Sequence, residues 1–186
     1  MVATAALIDE NDDVLMARVA LRDGAAFRTL IDAYAVRPHR IAYRMLGDAT
    51  EAEDIAQEAL LRLWNQAAKW QPGGAGVSAW LGRVATNLCL DRLRRRKFAS
   101  DEAAPERADD APGADEQMDE AQLRARTIAA VQALPNRQRA AIILTYYEDY
   151  SNMAAAGALD MNIKAFESLL LRARTALRAA LGGAAK

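Results

Sequence analysis

Between Ser100 and Glu120 the chain loses the apolar periodicity that runs through both of its flanks. Asp101, Glu102, Asp109, Asp110, Asp115, Glu116, Asp119 and Glu120 are interleaved there with Ala, Pro and Gly. So little apolar surface cannot repay the entropy of ordering, and the stretch reads as a flexible acidic linker. It divides the 186 residues into two blocks, neither an internal copy of the other, with boundaries at 12–98, 99–120 and 121–182. The 52 % hydrophobic content leans on Ala and Leu, with few Gly and Pro and only short Val/Ile runs, so both blocks should be helical. The expected fold class is all-α: two small helical domains joined by the linker.

Cys89 is the lone cysteine, which excludes an intramolecular disulfide and a thiol-based metal site and fits a reducing compartment. It reads as a small buried hydrophobe. Met1 to Ile8 lack a basic start and run straight into Asp9 and Glu10, unlike a secretory signal, and no apolar run reaches the roughly 20 residues a membrane span needs. A cytoplasmic protein without stable membrane insertion is expected.

In the first block Asp12-Asp13 are candidate caps for a helix carrying Val14, Leu15 and Val19. Phe27, Leu30, Ile31 and Tyr34 repeat at helical spacing, as do Ile41, Met45 and Leu46 beyond Pro38. Thr50 with Glu53 resembles a capping box for a helix through Ile55, Leu60, Leu61 and Trp64. After a Gly-rich loop, Ser78 is placed to cap a last helix carrying Trp80, Val84, Leu88 and Leu93. In the second block Pro135 marks a helix start, Asp149-Tyr150-Ser151 a break, and Ser151 the opening of a short helix. The turn Asp160-Met161-Asn162 then leads into a long helix from Ile163 or Lys164 to about Gly182. Short helix, tight turn and longer helix is the order of a helix-turn-helix.

Three surfaces could carry function. On the last helix, Phe166, Leu169, Leu170, Ala173 and Leu177 leave Lys164, Glu167, Ser168, Leu171, Arg172 and Arg174 towards other faces, a set suited to base edges and phosphates in a major groove. Arg83, Arg92, Arg94, Arg95, Arg96 and Lys97 form a cationic strip near Trp70, Trp80 and the Gly-rich loop. That combination suits unpaired bases, since arginines neutralise phosphates while rings and loops offer stacking. Asp54 and Glu58, four apart, share a helical face with Gln57 beside apolar neighbours, and such a face suits a basic partner helix. His39, the sole histidine, stands apart from any second ligand and reads as a surface or packing residue. No metal, cofactor or catalytic constellation is expected, so the chain is not read as an enzyme.

Residues 48–64, DATEAEDIAQEALLRLW, resemble the core-binding segment of sigma domain two. Residues 80–96, WLGRVATNLCLDRLRRR, are similar to the promoter-melting helix of extracytoplasmic-function (ECF) sigma factors of bacterial RNA polymerase. Leu134-Pro135-Asn136-Arg137-Gln138-Arg139 and residues 164–174, KAFESLLLRAR, resemble the two signatures of sigma domain four. The resemblance implies a sigma factor that binds core RNA polymerase and directs promoter-specific initiation. It places Asp54, Gln57, Glu58 and Leu61 on the β′ clamp helices, and domain four on the β flap. It assigns recognition and melting of the −10 element to Trp70, Ser78, Trp80, Arg83, Asn87, Asp91, Arg94 and Arg95. It assigns the duplex −35 element to Lys164, Glu167, Ser168, Leu171, Arg172 and Arg174. Promoter DNA, core polymerase and an anti-sigma factor are the implied partners, and no cofactor is implied. Two departures stand out. Asp160 occupies the turn position that usually holds Gly, which aspartate tolerates better than most residues, and Ala154 replaces an acid of the preceding helix. The rival readings are a sigma-like protein-binding mimic, which would have no use for the basic strip, and a plain helix-turn-helix regulator, which would leave the acidic helix without a task.

Overall fold

A computed structural model describes residues 11–101 and 120–182. Among these the chain is helical throughout, in the order α1 (Asp12–Ala20), α2 (Gly24–Tyr34), α3 (Val36–Leu46), α4 (Ala49–Gln66), a 3-10 turn (Ala67–Lys69), α5 (Gly76–Asp101), α6 (Glu120–Gln132), α7 (Asn136–Ile142), a π-helical turn (Ile143–Tyr147), α8 (Asn152–Ala158) and α9 (Ile163–Gly182). The all-α expectation holds. Most of the expected acidic linker, 102–119, lies outside the described residues, and α5 continues past 98 to Asp101.

Several helix starts differ from expectation, each for a local reason. Asn11 rather than the aspartates caps α1, accepting from the Asp13 N–H, which releases both acids for distant partners. Asp12 accepts from the Tyr34 hydroxyl at 2.8 Å, and Asp13 accepts from the Trp70 indole at 2.8 Å and the Gly73 N–H at 2.9 Å. Asp48, not Thr50, caps α4 through the Glu51 N–H, because Gly47 ends α3 in the left-handed region (φ 72°) and delivers Asp48 extended. Ser78 does not cap α5, which begins earlier at Gly76, where Asp12 accepts from the Val77 N–H at 3.4 Å. Pro135 stands one place before α7, at its N-cap. In the helix-turn-helix the reading holds: Ser151 caps α8 through the Ala154 N–H, and Asp160 takes a left-handed φ of 49°.

Two apolar cores result. One lies within the first block, where Leu15, Met16, Val19, Leu30, Leu63 and Leu81 meet. The other crosses between blocks: Ile41, Ala42 and Met45 of α3, Ile55 of α4 and Ala85 and Cys89 of α5 join Val131, Ile143, Leu144 and Phe166 of the second block. Cys89 is fully buried there, and burial pushes its thiol up to about 12, which keeps it an unreactive packing group.

The seam is polar as well. The Glu148 side chain has no exposure, and Arg40 grips it with two hydrogen bonds, Nε to Oε1 at 2.7 Å and Nη2 to Oε2 at 2.6 Å. Arg37 and Arg44 approach the same carboxylate at 3.7 and 3.6 Å and stack over the rings of Tyr150 and Tyr147. The positions 37, 40 and 44 share one face of α3. At the end of that helix, the buried Arg139 donates to the Met45 carbonyl at 2.6 Å and Gln132 donates to the Arg44 carbonyl at 2.6 Å. The second block thus satisfies carbonyls that the last turn of α3 leaves open.

Candidate polymerase and promoter interfaces

On α9 the apolar side is anchored by Phe166, Leu169, Leu170 and Ala173, all buried. Helical geometry then turns Lys164, Glu167, Ser168, Leu171, Arg172 and Arg174 outward, and all six are exposed. The Ser168 hydroxyl donates to the Lys164 carbonyl at 3.0 Å and Arg172 Nε to the Ser168 carbonyl at 3.3 Å, so both polar groups rest on their own helix and are open to a ligand. Leu171 keeps 63 % of its surface exposed, an apolar patch among charges of both signs.

On α4, Asp54, Gln57 and Leu61 are exposed and Glu58 is half-buried, paired with Arg62 one turn on at 2.8 Å. These four line a groove of about 750 Å3 whose opposite wall is Leu88, Asp91, Arg92 and Arg95 of α5. The acidic face and the base of the cationic strip are therefore adjacent. Glu51 ties them together, meeting Arg96 at 2.5 Å and Arg92 at 3.8 Å, so part of the strip is already neutralised within the fold. Arg94 pairs with Asp91 at 3.0 Å across a side that stays exposed. Arg95 is likewise exposed, and Asn87 is half-buried.

The loop between the 3-10 turn and α5 is held by α1. The hydrogen bonds from Trp70 and from Gly73 keep the Asp13 carboxyl below its ordinary value. Trp70, Trp80 and Arg83 then line a second, largely apolar groove of about 500 Å3, and its other wall is Tyr150, Met153, Ala154 and Ala158 of the second block. Arg83 pairs with Asp160, and the Tyr150 hydroxyl lies 3.4 Å from the Ser78 carbonyl. The expected −10 residues are therefore split: Asp91 and Arg95 line the α4 groove with Arg94 exposed beside them, whereas Trp70, Trp80 and Arg83 line the groove walled by the second block, to which Ser78 presents only its carbonyl. The seam around Glu148 and Arg139 was not among the expected functional residues. Its partners lie about a hundred positions apart, and no local pattern marks them.

Among the described residues no helix is long and apolar enough to cross a membrane, and no group of His, Cys, Asp and Glu is placed to hold a metal ion. The sigma-70 region 2 family matches residues 30–99 and the sigma-70 region 4 family matches residues 124–177. Among curated relatives, the ECF RNA polymerase sigma factor SigE of Mycolicibacterium smegmatis is 35 % identical over 80 % of this chain, which spans 59 % of that relative's length. The ECF RNA polymerase sigma factor SigL of Mycobacterium tuberculosis is 32 % identical over 89 % of this chain and 96 % of its own. Among solved structures, CnrH in complex with the cytosolic domain of CnrY superposes with a TM-score of 0.69 at 25 % identity, covering 94 % of this chain and 99 % of that one. The sigma factor RpoE of Bartonella quintana, solved with the anti-sigma factor NepR, shares the fold at a TM-score of 0.65 and 24 % identity, over 84 % of this chain and 96 % of that one. With both sigma regions in order on one helical chain and SigL matched at 32 % identity over 96 % of its length, the protein belongs to the ECF family of RNA polymerase sigma factors.

Proposed function

We propose that the protein carries out its sigma-factor role through three separate surfaces. The exposed acidic-apolar face of α4, with Asp54, Gln57, Glu58 and Leu61, docks on the β′ clamp helices of core polymerase. The loop and helix bearing Trp70, Ser78, Trp80, Arg83, Asn87, Asp91, Arg94 and Arg95 recognise and open the −10 element. The outward face of α9, with Lys164, Glu167, Ser168, Leu171, Arg172 and Arg174, reads the −35 element as duplex while its block rests on the β flap. The observation that carries this reading is the exposure of all six α9 residues on the second helix of a helix-turn-helix whose opposite face is buried. The working units are taken as 12–98 and 121–182, joined by 99–120, which we propose threads the basic RNA-exit path of the holoenzyme.

The chain supplies recognition and leaves the chemistry to the polymerase, acting in the cytoplasm where the polymerase is. An anti-sigma factor is its expected restraint; both solved relatives above were captured with a partner, NepR being named an anti-sigma factor. Run-off transcription from a genomic promoter library by core polymerase, with and without the protein, tests the assignment. Addition should select a defined promoter set, and the doubly substituted Asp54→Lys/Glu58→Lys chain should lose it together with several kcal/mol of core affinity, because like charges would then face a basic partner. An unchanged core affinity would refute the α4 docking.

A further inference from the structure

We propose that Asp12 and Asp13, the paired acids at the start of α1, are positioning residues for the Gly-rich loop before α5, and that Asp13 fixes the Trp70 ring as a stacking surface for an unpaired −10 base. The proposal rests on the assignment of that loop to the −10 element.

The two carboxylates serve the loop rather than their own helix. Asn11 caps α1, which leaves both acids to bond elsewhere. Asp13 answers two donors that lie 57 and 60 positions further along the chain, the Trp70 indole at Oδ1 (2.8 Å) and the Gly73 N–H at Oδ2 (2.9 Å). Asp12 holds the far end of the same loop: its Oδ2 accepts from the Val77 N–H at 3.4 Å, and its Oδ1 accepts from the Tyr34 hydroxyl at 2.8 Å. Burial, and then Asp12 itself, push the Tyr34 phenol up to about 12, so at neutral pH it remains a donor that steadies the acid. Between these anchors Gly73 and Gly76 take left-handed φ values of 77° and 79°, conformations that glycine adopts without steric cost. The bends are thus supplied by glycine, and α1 fixes where they lie.

The bond to Trp70 decides how that side chain meets a strand. An indole has one donor and no acceptor, and Asp13 takes the donor. Trp70 therefore has no hydrogen bond to offer a base edge, and it keeps its ring, in the groove it shares with Trp80. Stacking on a ring tolerates any base, so Trp70 holds a base while neighbouring groups identify it. A loop fixed in place beforehand also spares the ordering that binding would otherwise require. Charge points the same way. A carboxylate near a phosphate chain repels it, so Asp13 weakens binding through its charge and strengthens it only through where it holds the loop. Positioning and direct contact therefore predict opposite signs when the charge is removed and the shape is kept.

The test uses holoenzyme assembled with the full chain and reads, by fluorescence anisotropy, binding of a labelled single-stranded −10 oligonucleotide from a promoter that it transcribes. Asp13→Asn removes the charge but sets an amide NH2 against one of the two N–H donors, and it should weaken binding; a carboxylate that only faced the strand would give tighter binding instead. Asp13→Ala should weaken it at least about fivefold, the lower end of what one base–aromatic stack contributes. In a Trp70→Phe background, which keeps a ring and lacks the donor, the loss from Asp13→Ala should shrink, and equal losses in both backgrounds would overturn action through Trp70. Tyr34→Phe, which takes away the support of Asp12, should lower affinity less, and no change would remove Asp12 from the proposal. Helix content by circular dichroism, core-polymerase affinity and binding of a duplex −35 site should stay as in the parent; their parallel loss would reduce Asp13 to a general structural role and overturn the assignment of positioning. Unchanged or tighter −10 binding by both Asp13 variants would also overturn it, and Trp70→Ala then separates the causes. If that holoenzyme loses −10 binding, the loop assignment stands and only the positioning fails. If it does not, the loop assignment itself is wrong.

Discussion

The two helices assigned to promoter DNA are both long, amphipathic and arginine-bearing, yet the fold treats them differently. On α9 one face is spent on the core and the other is left to solvent, so every expected contact residue is exposed. On α5 burial changes along its length: the Val77 and Leu81 end serves the core of the first block, the Ala85 and Cys89 end serves the shared core, and Ser78, Trp80 and Arg83 meet the second block. A helix that reads duplex DNA needs one clean stripe, whereas a helix that captures strands as they separate works beside a loop and aromatic rings and is therefore embedded on several sides. On the proposed assignments, the −35 face is open in the free protein while the −10 region is embedded among neighbouring elements.

The sharpest way to break this comparison is to cut α9 on its buried side. Phe166→Ala empties the largest fully buried side chain of the shared core and should cost about 3–5 kcal/mol in urea unfolding. Leu171→Ala, five positions on but exposed, should change stability by no more than about 0.5 kcal/mol. Equal losses would mean that α9 has no distinct faces.

Next in size, Arg172→Ala should weaken holoenzyme binding to a duplex −35 site by about 1–3 kcal/mol if the guanidinium meets a base, and barely alter binding of a single-stranded −10 oligonucleotide. The joint change of Arg94 and Arg95 to Ala should reverse that pattern. It should also reduce the slope of log affinity against log salt for the single strand by about 1.4, at about 0.7 for each phosphate that is no longer neutralised. Equal losses on both templates for both variants would remove the distinction between the helices.

The smallest effect concerns the loop that α5 follows. Asp13 has its pKa lowered by bonds from Trp70 and Gly73, so its contribution to stability is present above the ordinary carboxylate value of 3.8 and is lost as pH falls through the depressed folded value. Acid titration followed by tryptophan fluorescence should show this loosening below pH 3.8. Asp13→Asn, which still accepts hydrogen bonds but does not titrate, should remove that step. A persistent step would assign it to another acid.

What could be read from the chain follows from the range of the forces involved. Helix order, the Ser151 cap, the Asp160 turn and the outward face of α9 are set by neighbours a few residues apart, and these were legible. The cap of α4 was misread because Thr50 and Asp48 both have capping chemistry. The choice between them was made by the left-handed Gly47, which fixes how the chain enters the helix. The cap of α5 went to Asp12, 65 positions away, and local pattern carries no trace of such a bond. The same holds for Arg40 and Glu148: each looks like an ordinary surface charge, and only the meeting of α3 with the segment after α7 buries one against the other. The three surfaces were therefore visible as residues, and the partial covering of one of them was not.

The π-helical turn at Ile143–Tyr147 gives that meeting an unusual basis. In it each backbone hydrogen bond encloses one more residue than in an α-helix, and the Glu148 N–H reaches back five residues to the Ile143 carbonyl. Forcing the turn into α geometry with every residue kept would carry the chain one residue further around and rotate everything beyond it by about 100° relative to α7. Glu148 would then leave the arginines of α3, although no charged group had been changed and α8 and α9 kept their own sequences. Whether the two blocks recognise each other is thus encoded as helical phase, and the widened turn is what sets that phase.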